Sequence, residues 1–229
     1  SEQFTENEGD SFIYGFGVAL GDIDADGWLD IILAHRTRTQ VWMGSPGDQW
    51  FEETDRIVVP YERSDNQNWS TNLASLIDVD GDGDLDLYLA FLKIPDQLYF
   101  NDGEGYFDNR TEESGLSREI EGTRAIAWGD IDGDADLDLI LGANGPETGD
   151  FGEPNSIHLN DGLGHFEDAS YLLTEEEKVG YTQSVGVSDF DLDGHQDIYI
   201  INHRPSYVGN RLLFGDGTLN FSSASNSGA

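Results

Sequence analysis

Apolar and polar positions along the chain switch period in a way that repeats. A short run rich in Val, Ile, Leu and aromatic residues meets an acidic turn, and a second apolar run follows. That order predicts strand, loop, strand. Four segments share it: GFGVALGDIDADGWLDIILA from Gly15, NLASLIDVDGDGDLDLYLA from Asn72, RAIAWGDIDGDADLDLILG from Arg124 and SVGVSDFDLDGHQDIYII from Ser184. The second runs (IILA, LYLA, LILG, IYII) are apolar at consecutive positions, as expected of strands covered on both faces by neighbouring sheets. Each unit continues into a third strand and a hairpin turn: VWMGSPGDQWF, LYFNDGEGYF, IHLNDGLGHF and LLFGDGTLNF. A fourth strand is expected from Phe51, Phe107, Phe166 and Phe221.

The first aspartates of the four acidic turns lie 56, 52 and 59 residues apart. Four antiparallel strands in each repeat of that length predict an all-β chain, a β-propeller of four-stranded blades with four blades visible. Residues 1–229 are read as a single propeller domain, with blade 1 at about 14–55, blade 2 at about 70–112, blade 3 at about 123–170 and blade 4 at about 182–225. Residues 1–10 form a surplus N-terminal strand or a tail, since Phe4-Thr5-Glu6-Asn7 is similar to a closing strand. Helical structure is expected only as a turn within Leu172 to Lys178.

Each acidic turn reads D-x-D-x-D-x-x-x-D. The aspartates are Asp22, Asp24, Asp26 and Asp30; Asp78, Asp80, Asp82 and Asp86; Asp130, Asp132, Asp134 and Asp138; and Asp189, Asp191, Asp193 and Asp197. Alternating carboxylates on a tight turn point inward, and the ninth position closes the cage. The backbone carbonyl of position seven (Trp28, Asp84, Asp136, His195) supplies a further oxygen. Such an oxygen-only shell suits a hard cation, and its size and flexibility favour Ca2+ over Mg2+, with up to four ions, one per blade. Position six is Gly27, Gly83 and Gly194 but Ala135 in the third turn, so a left-handed backbone there would make the third site the weakest.

Composition sharpens the picture. Forty-six acids against eleven bases give a formal charge of −35, which disfavours nucleic acid and anionic membranes as partners. The 37% hydrophobic and 11% aromatic content supports a folded domain, and no run is long and apolar enough to span a membrane. Cysteine is absent, so a divalent ion is the expected substitute for disulfide cross-links.

These residues carry a family resemblance. With Phe16-Gly17 ahead of the first acidic turn, the chain resembles the FG-GAP/VCBS repeats of integrin α-subunit propellers and many secreted bacterial proteins. The segment from Asn101 to Leu116 is similar to blade endings of the cartilage acidic protein (ASPIC/UnbV) relatives. The resemblance implies calcium in the loop joining strands one and two of each blade. Its members include adhesion receptors, lectin-like modules and a few lyases, and their propellers usually have more blades than four.

Strand alternation places the acidic loops and the third hairpin turns on one face of the wheel, and the remaining loops on the other. That second face collects a candidate ligand surface: His35, Arg36, Arg38, Tyr61, Trp69, Lys93, Tyr181, His203, Arg204 and Tyr207. Aromatics to stack and arginines to hold carboxylate or sulfate suit a glycan or an acidic protein. Arg56 and Arg110 are assigned to the same side. Candidate N-glycosylation acceptors are Asn68, Asn109 and Asn220.

No G-x-S-x-G, H-E-x-x-H or phosphate-cradling loop occurs, and no catalytic residue is assigned. The expected function is a secreted or cell-surface calcium-binding propeller module for adhesion or self-assembly through strand edges, without chemistry of its own. A carbohydrate-binding module is the second reading. A polysaccharide lyase is the third, with His35 and Tyr61 as its only candidate pair.

Overall fold

In a computed structural model, residues 15–35, 38–59, 71–91, 94–116, 122–143, 154–179, 181–203 and 209–224 are described. The surplus strand at residues 1–10 lies outside them, as do Arg36, Tyr61, Asn68, Trp69, Lys93, Arg204 and Tyr207.

Sixteen strands form four antiparallel sheets, each ordered as its strands follow in the chain. Blade 1 contains β1 (Gly15–Gly21), β2 (Asp30–His35), β3 (Thr39–Ser45) and β4 (Gln49–Glu52). Blade 2 contains β5 (Thr71–Ile77), β6 (Asp86–Phe91), β7 (Gln97–Asn101) and β8 (Phe107–Asn109). Blade 3 contains β9 (Thr123–Gly129), β10 (Asp138–Ala143), β11 (Ser156–Asn160) and β12 (Phe166–Asp168). Blade 4 contains β13 (Thr182–Ser188), β14 (Asp197–Asn202), β15 (Arg211–Gly215) and β16 (Phe221–Ser223). This is the propeller arrangement. The expected helical turn is α1 (Glu175–Lys178), closed at its N-terminus by a capping box between Thr174 and Glu177.

The sheets stack face to face in chain order, and each joint has its own apolar cluster. Ala19, Ile32 and Val41 of blade 1 meet Leu87, Leu89 and Tyr99 of blade 2. Tyr88 and Ala90 on the far face of blade 2 meet Leu139 and Leu141 of blade 3. Ile140 and Ala125 then meet Ile198, Ile200 and Val185 of blade 4. Every residue of β6 and β10 is therefore buried, as consecutive apolar positions predict. The end blades depart from that expectation. Residues of β2 alternate buried and half-buried, and Ile201 of β14 is exposed, because one face of each end blade has no neighbour among the described residues.

Polar pairs seal the joints at the rim away from the acidic turns. Thr71 meets Thr39, Thr123 donates to Asp96 at 2.5 Å, and Thr182 donates to Asn155 at 2.9 Å. Each joins the first strand of one blade to the preceding blade. The chain between blades 1 and 2 packs Ile57 and Val59 into the joint, and Ile57 bridges Phe107 in parallel.

One register differs from expectation. Gly44 pairs with Trp50 as Asn101 pairs with Phe107 and Asn160 with Phe166, so Trp50, not Phe51, holds the aromatic position of the closing strand. Two adjacent aromatics made that choice ambiguous in sequence, and the length of the β3–β4 turn decides it.

Candidate metal centre

The loop between the first two strands of every blade gathers three carboxylates. Asp22, Asp24 and Asp30 offer oxygens within 4.8 Å of one another. So do Asp78, Asp80 and Asp86; Asp130, Asp132 and Asp138; and Asp189, Asp191 and Asp197. These are positions one, three and nine of each motif, repeated once per blade. Asp191 is exposed where its counterparts are half-buried, so the fourth group is the most open.

Backbone amides explain how like charges are held so close. The Oδ2 of position one accepts the amide of position six: Gly27 to Asp22 at 2.9 Å, Gly83 to Asp78 at 3.1 Å, Ala135 to Asp130 at 3.2 Å and Gly194 to Asp189 at 3.0 Å. The carboxylate at position five turns to its own loop. Asp26, Asp82, Asp134 and Asp193 each accept the amide of position seven, at 2.8 to 3.0 Å. That side chain lies outside the grouped trio in every blade, although the sequence expectation placed it in the cage beside the other three. The same bonds use the amides of Trp28, Asp84, Asp136 and His195.

Position nine has a second role that the motif did not reveal. Asp30, Asp86, Asp138 and Asp197 are buried at the starts of β2, β6, β10 and β14. Each takes the amide of position two on one oxygen, as Ile23 to Asp30 at 2.8 Å. The other oxygen takes an amide of the third strand, from Gly44, Asn101, Asn160 or Gly215. Burial pushes the Asp86 carboxyl up to about 7 and that of Asp138 up to about 6, against the pull of these amides. Burial and neighbouring aspartates likewise raise Asp24, Asp80 and Asp132. A cation at each trio would remove that penalty. An all-oxygen donor set fits a hard divalent ion, so the residues present fit calcium without excluding other ions of that class.

The turn demands left-handed backbone twice. Position six has φ of 90° at Gly27, 96° at Gly83, 80° at Ala135 and 96° at Gly194. Position four is also left-handed: Ala25 at 55°, Gly81 at 74°, Gly133 at 85° and Leu192 at 64°. Sequence reading found the first requirement and missed the second, since Ala25 and Leu192 mask it.

Also missed were two asparagines in turns read only as hairpins. Asn101 Nδ2 donates to the carbonyl of Ile23 at 2.7 Å, and Asn160 Nδ2 to that of Val79 at 2.7 Å. Each ties its own blade's turn to the acidic loop of the preceding blade. The signal was the NDG of blades 2 and 3 against the glycine of MGSPG and FGDG in blades 1 and 4.

The candidate ligand surface is brought together only in part. His35 and Arg38 lie in blade 1, where the His35 amide donates to the Arg38 carbonyl and Arg38 pairs with Glu52 at 3.2 Å. Burial lowers the pKa of His35. Tyr181 and His203 lie in blade 4, joined by a backbone bond of 2.7 Å. Arg56 corrects the face assignment. Its guanidinium stacks 4.7 Å from the Tyr106 ring centre and bonds the Glu104 carbonyl, which places it on the acidic-loop side. Asn109 and Asn220 are exposed, with side chains bonded to Gln97 and to Asp216 and Thr218.

The sequence profile of the FG-GAP-like repeat matches residues 22–89 and 78–141, together more than half of the chain. The chain belongs to the FG-GAP-like repeat family. The matches run from the acidic loop of one blade through that of the next, so the blade repeat and the family repeat coincide. No curated protein matches the chain. Among solved structures the fold is similar to an Agrocybe aegerita lectin, described as the structural basis of specific recognition of non-reducing terminal N-acetylglucosamine. The TM-score is 0.56 at 20% identity, covering 89% of this chain and 49% of that one. The chain thus spans about half the length of that lectin, and the likeness speaks to the fold.

Proposed function

We propose that this chain is a calcium-binding propeller module that works outside the cell in adhesion or assembly and carries no chemistry of its own. The observation that supports it best is the recurrence of one carboxylate trio in all four blades, each held by the same backbone amides. In this reading positions one, three and nine hold the ion, and the carboxylate of position five and the backbone carbonyl of position seven complete its oxygen shell. The bound ion supplies charge neutralisation and cross-linking of the loop to the first two strands. The acidic surface and the lack of cysteine accord with a fold that relies on calcium where the ion is abundant. Isothermal titration of the chelator-treated chain with calcium and then magnesium tests it. Up to four calcium ions per chain, with weaker magnesium binding, is the expected result. Absence of calcium binding would overturn it.

A second reading is carbohydrate recognition, favoured by the propeller lectin with the similar fold. Glycan-array binding, with terminal N-acetylglucosamine among the probes, separates it from the first.

A further inference from the structure

At the joints between blades 1 and 2 and between blades 2 and 3, the acidic loop of one blade lies against the last hairpin of the next. Between blades 2 and 3, Asn160 of the β11–β12 hairpin holds the Val79 carbonyl, and Gly164 packs on the Phe100 ring so closely that a Cβ would collide with it. Between blades 1 and 2 the β7–β8 hairpin is the same Asn-Asp-Gly turn, and Asn101 holds the Ile23 carbonyl. Its second glycine meets something different. A Cβ on Gly105 would stand 2.8 Å from Arg56 Nη1, 3.4 Å from Ile23 Cγ1 and 3.5 Å from Asp24 Cβ. Met43 holds in blade 1 the register position of Phe100 in blade 2, each one residue before the third-strand partner of Trp50 or Phe107. At the first joint a cation from the linker thus lies where the second joint has an aromatic ring.

Arg56 is held there on three sides. Its Nε donates to Glu53 Oε2 at 2.7 Å, its Nη1 donates to the Glu104 carbonyl, and its guanidinium stacks 4.7 Å from the Tyr106 ring centre. The side chain is only 13% exposed. A charge so fixed and so covered is screened little by salt, and it acts on whatever lies beside it. Beside it is position three of the first acidic loop. Burial and the neighbouring Asp26 push the Asp24 carboxyl up, and Arg56 pulls it down.

Among the described residues no other acidic loop has an arginine or lysine placed in this way. Arg38 pairs with Glu52, Arg110 with Asp108 and Glu113, Lys178 with Glu175, and Arg211 with Glu176, none of them an acidic-loop residue. Arg124 follows Thr123 at the opposite rim. Four carboxylate trios are built alike, and one of them has a cation at its side.

We infer that Arg56 is a built-in counter-cation of the first acidic loop, which steadies that loop without its ion and weakens the binding of the ion there. This role rests on the calcium reading of the loops proposed above and adds to it a first site tuned apart from the others. A guanidinium fixed beside Asp24 repels a divalent cation approaching the same trio. In the metal-free chain it acts with the opposite sign and offsets part of the repulsion among the carboxylates. The linker between blades 1 and 2 therefore sets the affinity of the loop before it, and blade 2 takes part through Tyr106 and Glu104.

Trp28 makes the first loop separately visible. It holds position seven there, where the other loops have Asp84, Asp136 and His195, so it sensitises terbium bound in that loop. Tryptophan-excited terbium luminescence of the calcium-stripped full chain, followed by displacement with calcium, reads the affinity of the first loop. Asp22→Ala is expected to abolish this component, which assigns the signal. Arg56→Gln is expected to tighten terbium and calcium at the first loop by roughly tenfold. The gain in melting temperature on adding calcium should also exceed that of the parent chain. Arg56→Lys keeps the charge and should bind as the parent does. Tyr106→Leu keeps the charge but loosens its clamp, so a smaller rise in affinity is expected, and this variant decides the matter if Arg56→Gln does not fold. Affinity in Arg56→Gln equal to or below that of the parent, Arg56→Lys matching Arg56→Gln, or no rise in Tyr106→Leu would overturn the counter-cation role while the calcium reading stands. A parent chain that binds neither terbium nor calcium would overturn the proposed function and this role with it.

Discussion

Asn101 of blade 2 hydrogen-bonds the carbonyl of Ile23 in the acidic loop of blade 1, at 2.7 Å. The same side-chain nitrogen reaches the Leu85 carbonyl, and its oxygen takes the amides of Gly103 and Gly105. One buried amide thus joins a hairpin, its own acidic loop and the neighbour's loop. Asn101→Ala leaves these groups unpaired, and a loss of roughly 1–3 kcal/mol is expected for the buried partners. Chemical denaturation checks this. Weaker calcium binding at the first loop, read by titration, should accompany it, because Ile23 is position two of that loop.

Calcium removal should lower the melting temperature reversibly. Each of the four acidic loops holds a trio of close carboxylates whose repulsion a bound cation relieves, and an ion bound to the native chain alone stabilises by mass action. Calorimetry in excess chelator, then after calcium is restored, measures it. An identical melt in both states would contradict the calcium reading.

The pH dependence follows from the two buried carboxyls. Asp86 and Asp138 are raised to about 7 and about 6 in the folded chain, above the value of about 3.9 in an unfolded one. The folded state binds these protons better. Their contribution to stability is therefore complete below about pH 4 and is lost progressively as pH rises from there to about 6 for Asp138 and about 7 for Asp86. Metal-free protein should lose stability across that interval. Calcium competes with the protons, so the gain in melting temperature on adding calcium should grow over the same range. Melts with and without calcium from acid to neutral pH test both signs.

Backbone conformation predicts stabilising glycines. Ala135 and Leu192 sit at φ of 80° and 64°, where a side chain costs roughly 1–2 kcal/mol relative to glycine. Space is not the cause, since a Cβ on Gly27 or Gly194, at the position of Ala135, meets nothing within 4 Å. Ala135→Gly and Leu192→Gly are each expected to raise stability by about 1 kcal/mol after the added freedom of the unfolded chain. Gly83→Ala should act with the opposite sign. Thermal melts in saturating calcium measure all three.

The sequence alone determined the repeat. Acidic turns at regular spacing, flanked by apolar runs, specified strands, loop type and blade architecture, because local alternation and turn chemistry act within a few residues. It also placed Asp22, Asp24 and Asp30 and their counterparts at one loop. What it left open needed partners distant in the chain. Asp30 as a buried latch depends on the Gly44 amide, and Asn101 as an inter-blade tie depends on Ile23, seventy-eight positions away. Arg56 reached the acidic-loop face because Tyr106 and Glu104 of the next blade receive it. Burial was likewise a tertiary decision. Leu87 and Ile31 hold the same place in equally apolar strands, yet Leu87 is buried and Ile31 only half so, because a neighbouring sheet and not the side chain itself removes a residue from water.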